Sequence, residues 1–243
     1  MRYFFVIPVL ALSPLNLYGL PSAGCGSGGP TAALTVAATT GTVTYTNFTM
    51  TGTANGCSID GIFGTVATTG YTVSVHAFTM ADPVIDFGMN FDGSPSDPNV
   101  SLMISTPYTG GPFPGVFAGS LGTLTDSDQN GSASVTPQSS GSDIQTVKIN
   151  GAPLFSEGFV NPGCSFSGQP AGFSQPCPTP TSQPLFGNVP GTGTLELDVA
   201  FALSAGDSYS VNGSVNLVPE PGTNVLLAAG LVALIGLARR HSQ

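Results

Sequence analysis

An all-β fold is what the sequence predicts: a single β-sandwich or jelly-roll-like domain followed by a C-terminal transmembrane helix. Three observations carry this. β-Branched and aromatic residues alternate with small polar ones in run after run, the period of half-buried strands. Clusters of Gly, Pro, Asn, Asp and Ser interrupt these runs roughly every eight to fifteen residues. No helical period appears before the last apolar stretch, and no repeat of fixed length points to a solenoid.

The elements follow in order. Residues 1–24 have the layout of a secretory signal peptide: basic Arg2, an apolar run to Leu12, and small residues at Ser22 and Gly24 before a cut ahead of Cys25. Ala23-Gly24-Cys25 also has the last step of a lipoprotein signal, although Ser22 stands where such signals carry Leu. The body is then residues 25–217, the size of one domain. Ala33–Ala37 and Gly41–Thr51 read as two strands around Thr39-Thr40-Gly41, the second needing a bulge near Asn47 to keep one buried face. Tyr71–Met80 alternates cleanly, with Tyr71, Val73, Val75 and Ala77 on one face and His76 on the other, as an ordinary surface histidine.

Val84–Phe91 and Asn99–Ser105 are the next strands, joined by the turn-rich Asp92–Pro98. Thr106–Gly115 reads as a long irregular loop, followed by strands over Val116–Thr125, Ser132–Thr136 and Ile144–Asn150. Asn161–Pro190, dense in Pro and Gly, reads as a surface loop pinned by a disulfide. Gly193–Leu203 and Asp207–Leu217 are expected to form a hairpin across Ser204–Gly206, with Tyr209, Val211, Gly213, Val215 and Leu217 on one face. That places the C-terminal tail at a sheet edge.

Charge is scarce and one-sided. Charged residues are 7% of the chain, against about 25% in ordinary soluble proteins. Between Tyr3 and Ala238 the one Lys or Arg is Lys148, while all thirteen acids lie there. Such a surface repels phosphates, which excludes nucleic-acid binding. Four cysteines remain after the signal peptide, in what is then an oxidising compartment. Three pairings are open, of which the sequential one, Cys25–Cys57 and Cys164–Cys177, is the expectation. With no C-x-x-C pair and His76 the one histidine of the body, a metal site on these thiols is not expected.

Candidate chemistry is thin. Asp126-Ser-Asp128-Gln-Asn130-Gly131 has oxygen ligands at alternate positions and Gly at the tight turn, the first half of a calcium loop, but Pro137 stands where the bidentate Glu belongs. Asn-Gly between two alternating runs is equally a plain hairpin turn. Asp92–Asp97 is a looser version. Glu196 and Asp198 share a strand face in the pattern of a solvated surface, and a glycosidase needs two acids across a cleft. No nucleophile elbow, phosphate loop or His cluster is present, so no enzyme and no cofactor are expected, calcium being the one candidate.

The final twenty-six residues are the most specific part. Val218-Pro219-Glu220-Pro221 is a stiff, extended turn. An uncharged apolar run, Val225–Ala238, ends at the basic stop Arg239-Arg240. A helix over residues 222–238 would span about 25 Å at 1.5 Å per residue, slightly short of a ~30 Å hydrocarbon core. These 218–243 features resemble the PEP-CTERM sorting signal of Gram-negative envelope proteins. The resemblance implies processing by an exosortase, an integral-membrane cysteine protease, and an association with exopolysaccharide and biofilm matrix. It implies a membrane-anchored intermediate followed by delivery to the envelope, surface or matrix.

For the body, the sequence then admits three functions. The first is a structural or interaction protein of the cell surface. The second is a carbohydrate-binding sandwich, with the Tyr108–Phe117 aromatics as a stacking surface and calcium at Asp126–Asn130. The third is a secreted hydrolase built on Glu196 and Asp198.

Overall fold

The computed structural model describes residues 25 and 28–218, except 39–40, 55, 81–82, 94–96, 111–112, 139–142, 155–162 and 178–182. The proposed signal peptide and the tail from Pro219 onward lie outside the described residues. Among those described, no helix is long and apolar enough to cross a membrane, and the one helical turn is α1 (Val66–Thr69).

Two antiparallel sheets face each other as a sandwich. The first has the strand order β11-β10-β15-β7-β1-β2, extended by β9 and β12. Its strands are β1 (Thr31–Ala38), β2 (Gly41–Tyr45), β7 (Asn99–Thr109), β9 (Ala133–Pro137), β10 (Gln145–Ile149), β11 (Ala152–Pro153), β12 (Cys164–Phe166) and β15 (Thr192–Leu203). The second has the order β13-β8-β16-β6-β5-β4-β3, with β14 also on β8. It contains β3 (Thr49–Thr53), β4 (Gly56–Phe63), β5 (Thr72–Met80), β6 (Val84–Asp92), β8 (Phe113–Thr125), β13 (Ser174–Pro176), β14 (Gln183–Val189) and β16 (Ser208–Val218).

Alternation within each strand builds the core directly. Leu34, Val36, Leu102, Ile104, Leu195, Leu197, Val199 and Phe201 point inward from the first sheet, and Ile59, Val73, Ile85, Phe91, Tyr209 and Val211 from the second, all buried. Phe201 and Tyr209 meet edge-to-face across the layers with ring centroids 5.0 Å apart. Gly122 makes room for that tyrosine, since a Cβ there would stand 2.3 Å from the Tyr209 hydroxyl.

Several connections differ from the sequence reading because the chain keeps changing sheets. The Gly41–Thr51 run is two strands in opposite layers, β2 on β1 and β3 on β4, so the parity change near Asn47 marks a crossing and not a bulge. Thr106–Gly115 is mostly strand, as β7 runs to Thr109 and β8 starts at Phe113 in the other sheet. Pro107 is tolerated in β7 because its partner Thr194 turns its N–H and C=O toward Asn150, and because the pairing with β1 stops at Ser105, short of Pro107. Residues 193–217 are not a hairpin: β15 pairs with β7, β9 and β10, whereas β16 lies between β6 and β8. The tail therefore leaves from a central strand.

Both disulfides have the expected sequential pairing, Cys25–Cys57 and Cys164–Cys177. Cys164–Cys177 ties the layers together, and Cys25–Cys57 fastens the segment ahead of β1 to the second sheet. Cys164 is in β12 of the first sheet and Cys177 follows β13 of the second; Cys25 leads toward β1 and Cys57 is in β4. The Asn161–Pro190 segment is thus pinned as expected, but it also donates β12, β13 and β14 to sheet edges.

Candidate functional site

Three places carry chemistry beyond packing. The first is the junction with the tail. β16 holds its pairing to the end, with Leu217 opposite Val116 and Val218 opposite Gly115. Leu217 is fully buried and its N–H donates to the Pro83 carbonyl at 3.0 Å. Val218 is the last residue of the sorting region to be described. Pro219, Glu220, Pro221, Arg239 and Arg240 lie outside the described residues.

The second is a groove of about 610 Å³ on the outer face of the second sheet, crossing β4, β5, β6 and β16. Strand alternation lines it with Asp60, His76, Asp86, Asn90 and Asn212 beside Phe78. Gly88 forms its floor, where a Cβ would stand 2.7 Å from Asn212 Oδ1. His76 Nδ1 and Asp60 Oδ1 are 2.5 Å apart, and Ser58 Oγ donates to Asp60 Oδ2 at 2.8 Å. The His76 and Ser58 bonds hold the Asp60 carboxyl below its usual range, against a smaller opposing effect of burial. Ser58 thus bonds the carboxylate, and no hydrogen bond among the described residues joins it to the imidazole. His76 is on the outer surface as the sequence suggests, but paired. Ile62 stands 77% exposed on the same face.

The third is the end of the sandwich opposite the tail, where several inter-sheet connections meet. Asp126, which follows β8, is buried and serves as a hub. Its Oδ1 accepts the Asn130 N–H at 3.0 Å, and its Oδ2 accepts those of Gly131 at 3.0 Å and Gly172 at 3.2 Å. Burial alone would raise its pKa; the backbone donors from Gly131 and Gly172, with Asp128 and Asn130, bring it below the ordinary value. Asp128 accepts from the Asn130 backbone and side-chain nitrogens at 3.0 and 2.8 Å. The Asn130 Oδ1 instead takes the Ser132 N–H and hydroxyl. In this arrangement Asn130, a calcium-ligand candidate in the sequence, braces the loop.

The partner that sequence reasoning missed is Asp207, seventy-nine positions after Asp128 (207 − 128) and brought beside it by the β15–β16 turn. Gly206, at φ +80°, lies so close that a Cβ would meet Asp128 at 2.6 Å. One carboxylate oxygen from each of Asp126, Asp128 and Asp207 falls within 4.8 Å of the others. Around them, Asp92 accepts from the Ser208 hydroxyl at 2.7 Å and Asp97 from the Ala205 N–H at 2.9 Å. The local signal was an acid closing a Ser-x-Gly turn, which alone reads as an ordinary turn residue.

Two expected sites take a different form. Glu196 and Asp198 are not on a freely solvated face. Lys148, directly opposite Glu196 in β10, ion-pairs with both, at 2.9 Å to Glu196 Oε1 and in close contact with Asp198. All three side chains are less than a third exposed. Asp198 first and then Glu196 hold the Lys148 ammonium above its ordinary value, against its own burial. Burial pushes the Asp198 carboxyl up despite that lysine. The Tyr108–Phe117 aromatics do not form a stacking surface: Tyr108 and Phe113 are buried edge-to-face, 5.7 Å apart, and only Phe117 is partly exposed.

Comparison with known proteins adds one specific match. No curated protein matches the chain. Among solved structures, TmCBM61 in complex with β-1,4-galactotriose aligns at 13% identity over 59% of this chain and 86% of its own, with a TM-score of 0.25. An exo-1,3/1,4-β-glucanase, ExoP, from a Pseudoalteromonas species aligns at 12% identity over 89% of this chain but 23% of its own, with a TM-score of 0.23. Scores this low say nothing about what this chain binds. The family match is to the tail: residues 217–242 carry the PEP-CTERM protein-sorting motif, which implies export, sorting to the cell envelope and an exosortase as processing partner.

Proposed function

We propose that the chain is a structural or interaction protein of the Gram-negative cell surface and not an enzyme, exported and then processed by an exosortase at or near Val218–Pro221. The observation that supports this best is the junction. The motif begins at Leu217, inside the core, so no flexible linker separates the sandwich from its sorting signal. Three residues, 219–221, reach at most about 10 Å, which sets the tail end of the sandwich against the membrane while residues 222–238 are anchored. Arg239 and Arg240 stay on the cytoplasmic side, and the acidic body faces outward. Two disulfides suit an oxidising compartment.

Intact-mass analysis of protein from the host envelope and medium tests this. Loss of residues 1–24 and of the tail from near 218–221, with four hydrogens missing for two disulfides, is the expected result. Exchange of Glu220 or of both Pro219 and Pro221 leaves the tail attached. Normal processing of those variants overturns the reading.

The groove on the second sheet favours a second reading, exopolysaccharide binding in a biofilm matrix. Asn and Asp side chains there offer the paired donors and acceptors that sugar hydroxyls use, and Phe78 offers an apolar face. Affinity electrophoresis through the host's matrix polysaccharide tests it. Retardation lost in Asn90→Ala and Asn212→Ala supports binding here, and unretarded wild-type protein rules it out.

A further inference from the structure

We infer that Asp126, Asp128 and Asp207 form a calcium site at the end of the sandwich opposite the sorting tail, with the Ser204 hydroxyl beside it. Proximity of three acids is not enough on its own. The independent observation is Asp207: its side chain is fully buried, Oδ2 accepts from the Ser204 hydroxyl, and Oδ1 has no hydrogen-bond partner. A buried carboxylate oxygen left without a donor costs free energy unless something not yet counted satisfies it.

The compensating charge cannot come from the body. Its single Lys or Arg is Lys148, which is engaged by Glu196 and Asp198 on the outer face of the first sheet. His76 is held by Asp60. A cation from solution can supply that charge. Oxygens on opposite sides of a calcium ion, each about 2.3–2.6 Å from it, stand roughly 4.6–5.2 Å apart, and the three carboxylates here fit inside that span. The site offers oxygens alone, which suits a hard cation over zinc or copper. Two of the carboxylates keep their backbone and amide donors, so orientation does not depend on the ion. An ion here joins the β8–β9 and β15–β16 connections, while Gly172 of the disulfide-closed segment already bonds Asp126.

Calorimetric titration of CaCl2 into the full chain, purified in detergent and stripped with chelator, tests the inference. One calcium per chain is expected, in the ~10⁻⁴–10⁻³ M range of extracellular modules, with a melting temperature that rises with calcium across it. Asp207→Asn removes binding. Asp128→Asn, at an exposed position that leaves the core intact, weakens it at least by the roughly tenfold that even outer-shell changes cost. No heat and no shift in melting temperature up to about 10 mM calcium overturns the site. So does wild-type affinity in folded Asp128→Asn, which keeps the question answerable if Asp207→Asn does not fold.

Discussion

Two clusters of carboxylates sit in this molecule, and their charge is met in opposite ways. Glu196 and Asp198 flank Lys148, so the charge is balanced by a side chain across the strand pair. Asp126 and Asp128 are met by neutral donors, mostly backbone N–H groups of tight loops, and Asp207 by a serine hydroxyl. One cluster lies on a sheet face, where register can bring a lysine opposite an acid. The other lies where loops cross between layers, where glycines bring main-chain dipoles close and no cation is near. With one lysine in the body, the protein has an internal counter-ion for one cluster only.

The comparison breaks hardest at Lys148. Lys148→Ala leaves two poorly solvated carboxylates side by side and should cost about 3–5 kcal/mol of unfolding free energy, read from denaturant melts. Glu196→Gln/Asp198→Asn in the same background should recover much of it, whereas calcium should not. Next is the strap at the other cluster. Cys164→Ser/Cys177→Ser opens the loop that carries Gly172 to Asp126 and should cost about 3 kcal/mol by chain entropy. A loss confined to that end, seen as faster amide exchange around residues 126–132 and 167–173, ties the disulfide to the loop cluster.

A smaller effect is set by alkaline pH. The folded-state pKa of Lys148 lies above its ordinary 10.5. Its contribution is therefore full below that value and is lost as pH rises through the higher one, so wild-type stability should fall there more steeply than that of Lys148→Met. Smallest is His76→Ala, which removes a well-exposed pair with Asp60 and should cost about 0.2–1 kcal/mol.

The strands themselves were legible in the sequence, because period-two burial is a local property. Tyr71–Ala77 and Tyr209–Leu217 point inward as their alternation requires. Which sheet each strand joins was not legible. The same alternation serves a hairpin and a crossing between layers equally well, so β15–β16 and β2–β3 were read as continuous pieces of one sheet. Proline and glycine around Thr106–Gly115 suggested a loop, although Pro107 lies where its strand has an open side. The acidic site shows the same limit. Asp126 and Asp128 announce themselves by spacing, while Asp207 joins them only through the topology that carries β15 over to β16.

That topology also sets a distance. Strand β16 begins next to Asp207 and ends at Val218, eleven residues later, so about 35 Å separates its two ends at ~3.3 Å per residue. Held on both sides by β6 and β8, it is a mast fixed along its length within the sandwich. A chain fixed by its tail would present the acidic end outermost. Neighbouring copies would then turn the same end outward, and a layer of them would have a defined outer face.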